Sequence, residues 1–261
     1  MSKQRIWAMI PTYNNASTIS DTIDSVSWTD KVLVVDSFST DGTTDIARDL
    51  GATVLQRAYD TSARQKNWAL KHCHCDWVFQ LDTDERLEVG LAQEIRNTVE
   101  QIQFEYAAFR MPRKNHYGWK WLRHGGIYPD YQIRLLRPRH AHWADRNVHA
   151  HPEIDGYTGT LNGHILHDGM KSISKQLLNL DRYTTYESNE LGKRSTNVSV
   201  MRLVIHPVAV FIYRYVWKLG ALDGWRGLTY AAYLSFYDFL AQVKAREAVD
   251  DLLAEPEGTN D

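Results

Sequence analysis

Residues 31–43 read KVLVVDSFSTDGT. The opening KVLVVD is short, apolar and β-branched, the composition of a strand buried inside a parallel sheet. It breaks into small hydroxyl residues and two acids, Asp36 and Asp41. STDGTTDIARDLG then starts a helix, with Asp41 or Thr43 to cap it and Gly51 to end it. A strand that turns through a polar loop into a helix is half of a βαβ unit.

The neighbouring segments repeat the unit. RIWAMIP (5–11) reads as a strand, and ASTISDTIDSVSW (16–28) as a helix with Ile19, Ile23 and Val26 on one face. ATVLQR (52–57) is a third strand, TSARQKNWALKHC (61–73) a helix and DWVFQLD (76–82) a fourth strand. This alternation predicts an α/β fold with a mostly parallel central sheet. Ligands of such sheets bind beyond the carboxyl ends of the strands. Those ends are PTYN (11–14), VDSFSTDG (35–42), QRAYD (56–60) and LDTDE (81–85), and three of the four carry acids.

Asp82 and Asp84 stand two residues apart just past an apolar strand. At a strand end they can converge on one cation, or on a cation and a sugar hydroxyl. Mg²⁺ and Mn²⁺ favour oxygen ligands and commonly share them with phosphate. A metal–diphosphate site therefore explains Asp82 and Asp84, two of the four acids crowded between Asp82 and Glu88. Glu85 and Glu88 are expected instead to open the next helix, whose dipole favours acids. At the second strand end, Asp36 can accept from the imide of a uracil. Asp41 can accept from a ribose hydroxyl or hold the loop. Ser37, Ser39 and Thr40 are small enough to let a nucleotide lie close. Arg64 and Asn67, on the helix after Asp60, can face the same cleft, and an Arg there suits a diphosphate.

The chain has 261 residues, a net charge of -2 and a hydrophobic fraction of 43%. Its length accommodates one large domain with an appendage. Its charge gives no push towards nucleic acid. Cys73 and Cys75 are too close for a bridge and spaced unlike zinc ligands, so they read as helix-end packing. MSKQRIWAMIPTYN has too short an apolar run for a signal peptide, and no stretch reaches about 18 uninterrupted apolar residues. A cytoplasmic protein without a spanning helix is expected.

From about Glu105 the texture turns to Arg, His and aromatics. YQIRLLR (131–137) and TGTLNGHILH (158–167) read as strands, and 172–188 as a helix. Lys120, Arg123, Arg134, Arg137 and Arg139 suit an anionic acceptor. From Met201 the chain is strongly apolar but interrupted, and reads as two amphipathic helices joined by GALDGWRG. Packing on the first domain is one reading of them; their Trp, Tyr, Arg and Lys residues favour the other, a membrane interface. The expected organisation is a catalytic domain over 1–195, with a donor half (1–104) and an acceptor half (105–195). A helical membrane-associating appendage (196–250) and a disordered tail (251–261) follow.

PTYNNASTISDTIDSV, VVDSFSTDGT, ARQKNWAL and LDTDE resemble, in order and spacing, the successive motifs of family 2 glycosyltransferases. GWKWLRHGGIYPDYQIRLLR, VHAHPEIDG and LNGHILH are similar to a bacterial subgroup that includes lipopolysaccharide-core β-glucosyltransferases and exopolysaccharide transferases. The resemblance implies a GT-A fold and an inverting transfer from a nucleotide-activated sugar. UDP-glucose with Mg²⁺ or Mn²⁺ is the expected donor pair. The expected acceptor is a glycolipid or polysaccharide precursor at the inner face of the cytoplasmic membrane. It further implies that Thr12, Asp36 and Asp82 touch the nucleoside and Asp84 the metal.

Two places depart from the family. Ser37 follows Asp36 where a second acid is common, and Ala150 stands where the subgroup often has an acid. Asp130, preferred, and Glu153 are the candidates for the base that Ala150 cannot supply. His149, His151 and His167 are candidate metal or phosphate contacts, with His149 placed beside Asp84. Two rival classes are a nucleotidyltransferase and a catalytically impaired binding scaffold. The first wants glycines after the first strand, which PTYNNAST lacks.

Overall fold

A computed structural model describes residues 3–101, 106–144, 151–170, 173–194 and 199–254. The chain forms two compact units: Met1–Asn115 with Pro129–Gly169, and His116–Tyr128 with Met170–Asp261. The segment 116–128 and the helix after residue 172 thus cluster with the C-terminal helices, not with the acids at the sheet edge.

In the first unit the expected alternation is present. Strands β1 (Ile6–Thr12), β2 (Lys31–Asp36), β3 (Thr53–Gln56) and β4 (Trp77–Gln80) alternate with helices α1 (Ile19–Ser25), α2 (Thr43–Asp49) and α3 (Ser62–Leu70). A short strand β5 (Glu85–Leu87) precedes α4 (Leu91–Gln101). Then come β6 (Tyr106–Tyr117), whose last two residues belong with β7 (Lys120–Trp121) to the second unit, β8 (Asp130–Leu136), β9 (Ala141–Trp143), β10 (Pro152–Ile154), β11 (Tyr157–Thr160) and β12 (Ile165–Met170). The main sheet runs β3-β2-β1-β4-β8-β6-β12-β5, with β11 also on β6, while β9 and β10 pair separately. The first four strands are parallel, whereas β8 meets β4 antiparallel, Phe79 opposite Leu135. The sheet is therefore mixed. The segment read as one strand over 158–167 splits into β11 and β12.

Period-two alternation puts Ile6, Ala8 and Ile10 of β1 into one core with α1 and α4, while Met9 enters the opposite core with α3. Both faces of the parallel strands are covered, which is why β2 reads as an unbroken apolar run. α2 is not capped by Asp41 or Thr43. Gly42 holds the N-cap position at φ 87, and Asp41 Oδ1 accepts from the Thr43 N–H at 3.1 Å. Glu85 does not open a helix: it begins β5, is wholly buried and belongs to the ion-pair network described below. Cys73 packs at the end of α3 and donates to the Ala69 carbonyl at 3.4 Å. Burial pushes both the Cys73 and Cys75 thiols up to about 12, so they rest protonated.

The second unit is helical: α5 (Ile173–Arg194), α6 (Val200–Ile212), a π-helical turn over Tyr213–Trp217, a 3-10 turn over Gly220–Asp223 and α7 (Trp225–Ala254). Buried Asp223 accepts from the backbone N–H groups of Arg123 and His124 at 3.0 and 2.8 Å, tying 116–128 to this unit. By length and composition, Val200–Trp217 is apolar enough to cross a membrane, and almost none of it is buried. The sequence reading makes this segment an amphipathic helix and not a spanning one, because Arg202, His206 and Arg214 interrupt it.

Candidate active site at the carboxyl edge of the sheet

The parallel register brings Thr12 of β1 beside Asp36 of β2, and Asp36 beside Gln56 of β3. Asp36 is completely buried. It accepts from the Ser39 N–H at 2.9 Å, the Ser39 hydroxyl, and Gln56 Nε2 at 3.0 Å. Its carboxylate therefore organises the β2 loop. Asp41 accepts from the Ala16 N–H at 3.0 Å and from both the N–H and the hydroxyl of Thr43. Those hydrogen bonds, the Thr43 hydroxyl foremost, lower its pKa. Of its two expected roles, the loop-holding one is the role its bonds describe.

Ser39 Oγ accepts from the Asn14 N–H at 2.8 Å, and Asn14 Oδ1 from the Thr40 N–H at 2.9 Å. Asn14 and Phe38 both sit at positive φ, 51 and 62. Such strain persists only where surrounding bonds over-determine it, and it concentrates at ligand edges. Beside these loops lies a cleft of about 220 Å³ lined by Pro11, Thr12, Tyr13, Asn15, Ser37, Tyr59, Ser62 and Gln65. Tyr13 and Tyr59 are more than half exposed and give it aromatic walls.

Helix α3 presents different residues from those expected. Arg64 Nη1 pairs with Asp60 at 2.6 Å across one turn, both side chains about half exposed. Asn67 donates to the Trp143 carbonyl at 2.7 Å and accepts from the Trp143 N–H at 2.8 Å, so its amide clamps β9 rather than facing a donor. Buried Gln65 instead donates to Ser37 Oγ at 3.1 Å, and Lys66 Nζ lies 3.6 Å from Asp82 Oδ1. Lys66 is three residues after Ala63 and four before Leu70, both buried, so the helical period marks it as inward-facing.

Asp82 accepts from Gln80 Nε2 at 2.9 Å and Arg134 Nη2 at 2.8 Å. Burial raises its pKa, but Lys66 and Arg134 outweigh that and hold it well below the usual carboxylate range. From sequence, Arg134 suits an anionic acceptor. In the structure it is buried on β8, next to β4, and also pairs with Glu85 at 2.6 Å and donates to Gln80. Glu85 in turn takes Arg113 at 3.0 Å, and Arg113 reaches Asp130 at 2.8 Å.

Asp130 is engaged as an acceptor by three side chains. Its oxygens accept from Arg113, from Asn115 Nδ2 at 2.9 Å and from Gln132 Nε2 at 2.6 Å. Burial raises its pKa, and Arg113 with these amides more than reverses the shift. Glu153, on β10, is 60% exposed and 3.7 Å from His142 Nδ1, outside the network that holds Asp82. His149 and Ala150 lie outside the described residues.

A different histidine meets the acidic motif. His167 Nε2 on β12 lies 3.5 Å from Asp84 Oδ2, and its Nδ1 is 2.6 Å from Asn115 Oδ1. Asn115 also donates to Asp130. The chain from Asp82 through Arg134, Glu85, Arg113, Asp130, Asn115 and His167 to Asp84 is continuous. Burial raises the Asp84 pKa, and the hydrogen bond from His167 leads the effects that bring it below the ordinary value. Among the described residues no group of three or more His, Cys, Asp or Glu side chains gathers at one point. Asp84 and His167 are thus a two-donor set. Carboxylate oxygen and imidazole nitrogen fit Mn²⁺, which leaves its remaining positions to phosphate and water. The Nδ1 contact to Asn115 fixes the ring, as outer-shell partners of metal-binding histidines do.

Known proteins share this arrangement of chain. The mannosyltransferase PcManGT from Pyrobaculum calidifontis, in complex with GDP-Man and Mn²⁺, superposes with a TM-score of 0.52 at 15% identity, over 98% of this chain and 89% of that one. The fold is of the GT-A type. An uncharacterized glycosyltransferase of Rickettsia typhi is 28% identical over 94% of this chain and 87% of its own. The lipopolysaccharide core biosynthesis glycosyltransferase LpsC of Rhizobium meliloti is 25% identical over 95% of this chain and 97% of its own. The glycosyl transferase family 2 model matches residues 7–178, more than half of the sequence and every residue of the acidic edge, so the chain belongs to glycosyl transferase family 2.

Proposed function

We propose that the chain is an inverting, divalent-metal-dependent hexosyltransferase that moves glucose from UDP-glucose to a lipopolysaccharide, exopolysaccharide or other lipid-linked precursor. The observation that carries this reading is the pairing of Asp84 with His167 at the sheet edge, beside an ionised Asp82. Asp84 and His167 would hold Mn²⁺ or Mg²⁺. The cation, when bound, offsets the negative charge that develops on the diphosphate leaving group. The base would lie in the cleft between Tyr13 and Tyr59, where ring stacking suits any planar base and Ser37 and Gln65 supply polar atoms. Lys66 adds a positive charge beside Asp82. The acceptor class is supported by the likeness to LpsC, a protein named for lipopolysaccharide core biosynthesis.

The acceptor hydroxyl attacks the anomeric carbon, the bond to the diphosphate breaks, and a carboxylate takes the hydroxyl proton. Of Asp130 and Glu153, Glu153 is the one whose oxygens are open to accept it. Glu153→Gln is expected to lower kcat by about 10²–10⁴-fold with little change in melting temperature. Asp130→Asn is expected to lower stability first, because Arg113 and Asn115 lose a charged acceptor. A pH–rate profile unchanged by Glu153→Gln rejects the assignment.

Calorimetric titration of UDP, UDP-glucose, GDP and GDP-mannose, each with and without Mn²⁺, tests the whole reading. Mn²⁺-dependent binding of the uridine compounds is expected. Preference for guanosine compounds would overturn the donor, and metal-independent binding the role of Asp84. Binding without transfer or donor hydrolysis would favour a scaffold.

A further inference from the structure

Helix α6 is fastened to α7 by polar pins. The Pro207 carbonyl accepts from Ser235 Oγ at 2.7 Å, and His206 Nδ1 lies 2.8 Å from Asp238 Oδ2. Pro207 is buried, and Leu203, Val210 and Phe211 on the same side are half-buried. The opposite side is a stripe of Val200, Met201, Val204, Ile205, Val208 and Ile212, every one more than half exposed. The stripe continues past the π-helical turn into Trp217, 78% exposed, and Trp225. From Ser199 to Leu222 the chain contains Arg202, Arg214 and Lys218 and no Asp or Glu.

We propose that α6 and the turn after it lie in the plane of an anionic bilayer interface. The stripe sits at the acyl boundary, Trp217 and Trp225 at headgroup depth, and Arg202 and Lys218 towards lipid phosphates. Three observations choose this occupant. An acid-free basic segment repels a second copy of itself but attracts anionic lipid. Aromatic residues at the end of an apolar stripe match the interfacial zone. Full insertion would carry Arg202 and the His206–Asp238 pair into hydrocarbon, which favours an in-plane helix over a spanning one. This inference goes beyond glycosyl transfer and does not depend on it.

Flotation of the full-length protein tests it, using phosphatidylethanolamine vesicles with and without phosphatidylglycerol. Binding is expected with phosphatidylglycerol, at least about tenfold weaker without it, and extractable by alkaline carbonate. Val204→Asp and Val208→Asp should each lower partitioning roughly tenfold or more. Their far-ultraviolet dichroism and melting should match the wild type, since both side chains face outward. Trp217→Phe should remove part of the blue shift in tryptophan emission on vesicle addition. Flotation unaffected by the Asp variants, absence of binding to either vesicle, or sedimentation as a dimer that these variants dissociate would overturn the proposal. Resistance to carbonate would overturn the in-plane placement.

Discussion

Asp84→Asn is expected to lower glycosyl transfer by about three orders of magnitude and to remove the Mn²⁺ dependence of donor binding proposed above. The size follows from the several kcal/mol that a bound cation supplies to a developing diphosphate charge, at about 1.4 kcal/mol per tenfold. Asn keeps the shape and loses the charge. The Asp84 side chain is 44% exposed, and its only ionic partner among the described residues is His167, so the fold has little reason to respond. The melting temperature should stay within a few degrees. His167→Ala should act on the same readout, weakening Mn²⁺ affinity about 10–100-fold while leaving residual transfer at high Mn²⁺. Asn115→Ala should follow His167→Ala in direction with a smaller effect, because Asn115 holds the His167 ring through Nδ1 and leaves Nε2 to Asp84. Donor binding that stays equally Mn²⁺-dependent in Asp84→Asn would remove the acidic motif from the metal site.

The acids of the edge were legible in the sequence because a parallel sheet converts chain order into position. An apolar run fixes where a strand ends, and four strand ends must share one edge. What lies one layer beneath was not legible, for two reasons. The first is helical phase. ARQKNWAL reads as helical, but side-chain chemistry points to Arg64 and Asn67, whereas the spacing from Ala63 and Leu70 turns Lys66 inward. The second is long-range pairing. Arg134 reads as one of many bases in a basic stretch, and nothing local shows that β8 runs antiparallel against β4 and sets it beside Gln80 and Asp82. The same gap misplaces Glu85 as a helix starter and hides the ion pair between Asp130 and Arg113. Both belong to an ion-pair network assembled from β5, β6 and β8.

That network makes Arg134 the residue whose loss the fold should feel most. Arg134→Met is expected to destabilise the protein by about 3–5 kcal/mol, because it leaves Glu85 wholly buried with only Arg113 to pair it and removes one counter-charge from Asp82. Burial pushes the Arg134 pKa down, but Glu85 and Asp82 raise it further, so the guanidinium is charged at every working pH. The titrating partner is Asp82, whose folded pKa is depressed. A depressed carboxylate stabilises the fold above its unfolded pKa and loses that contribution as pH falls through the folded value. The wild type should therefore lose stability in acid below about pH 4, the unfolded range of an Asp, and Arg134→Met should show less of that loss. Replacing both partners separates structure from function. In Arg134→Met with Glu85→Leu, no buried charge is stranded: Arg113 keeps Asp130, and Asp82 keeps Lys66 and Gln80. Thermal or urea melts should recover more than half of the single-variant loss. Donor binding should not recover, because Asp82 still lacks the guanidinium that fixes its orientation. A double variant as unstable as the sum of the singles would show that the pair is not coupled, and one that restores both stability and binding would show that Arg134 does not position Asp82.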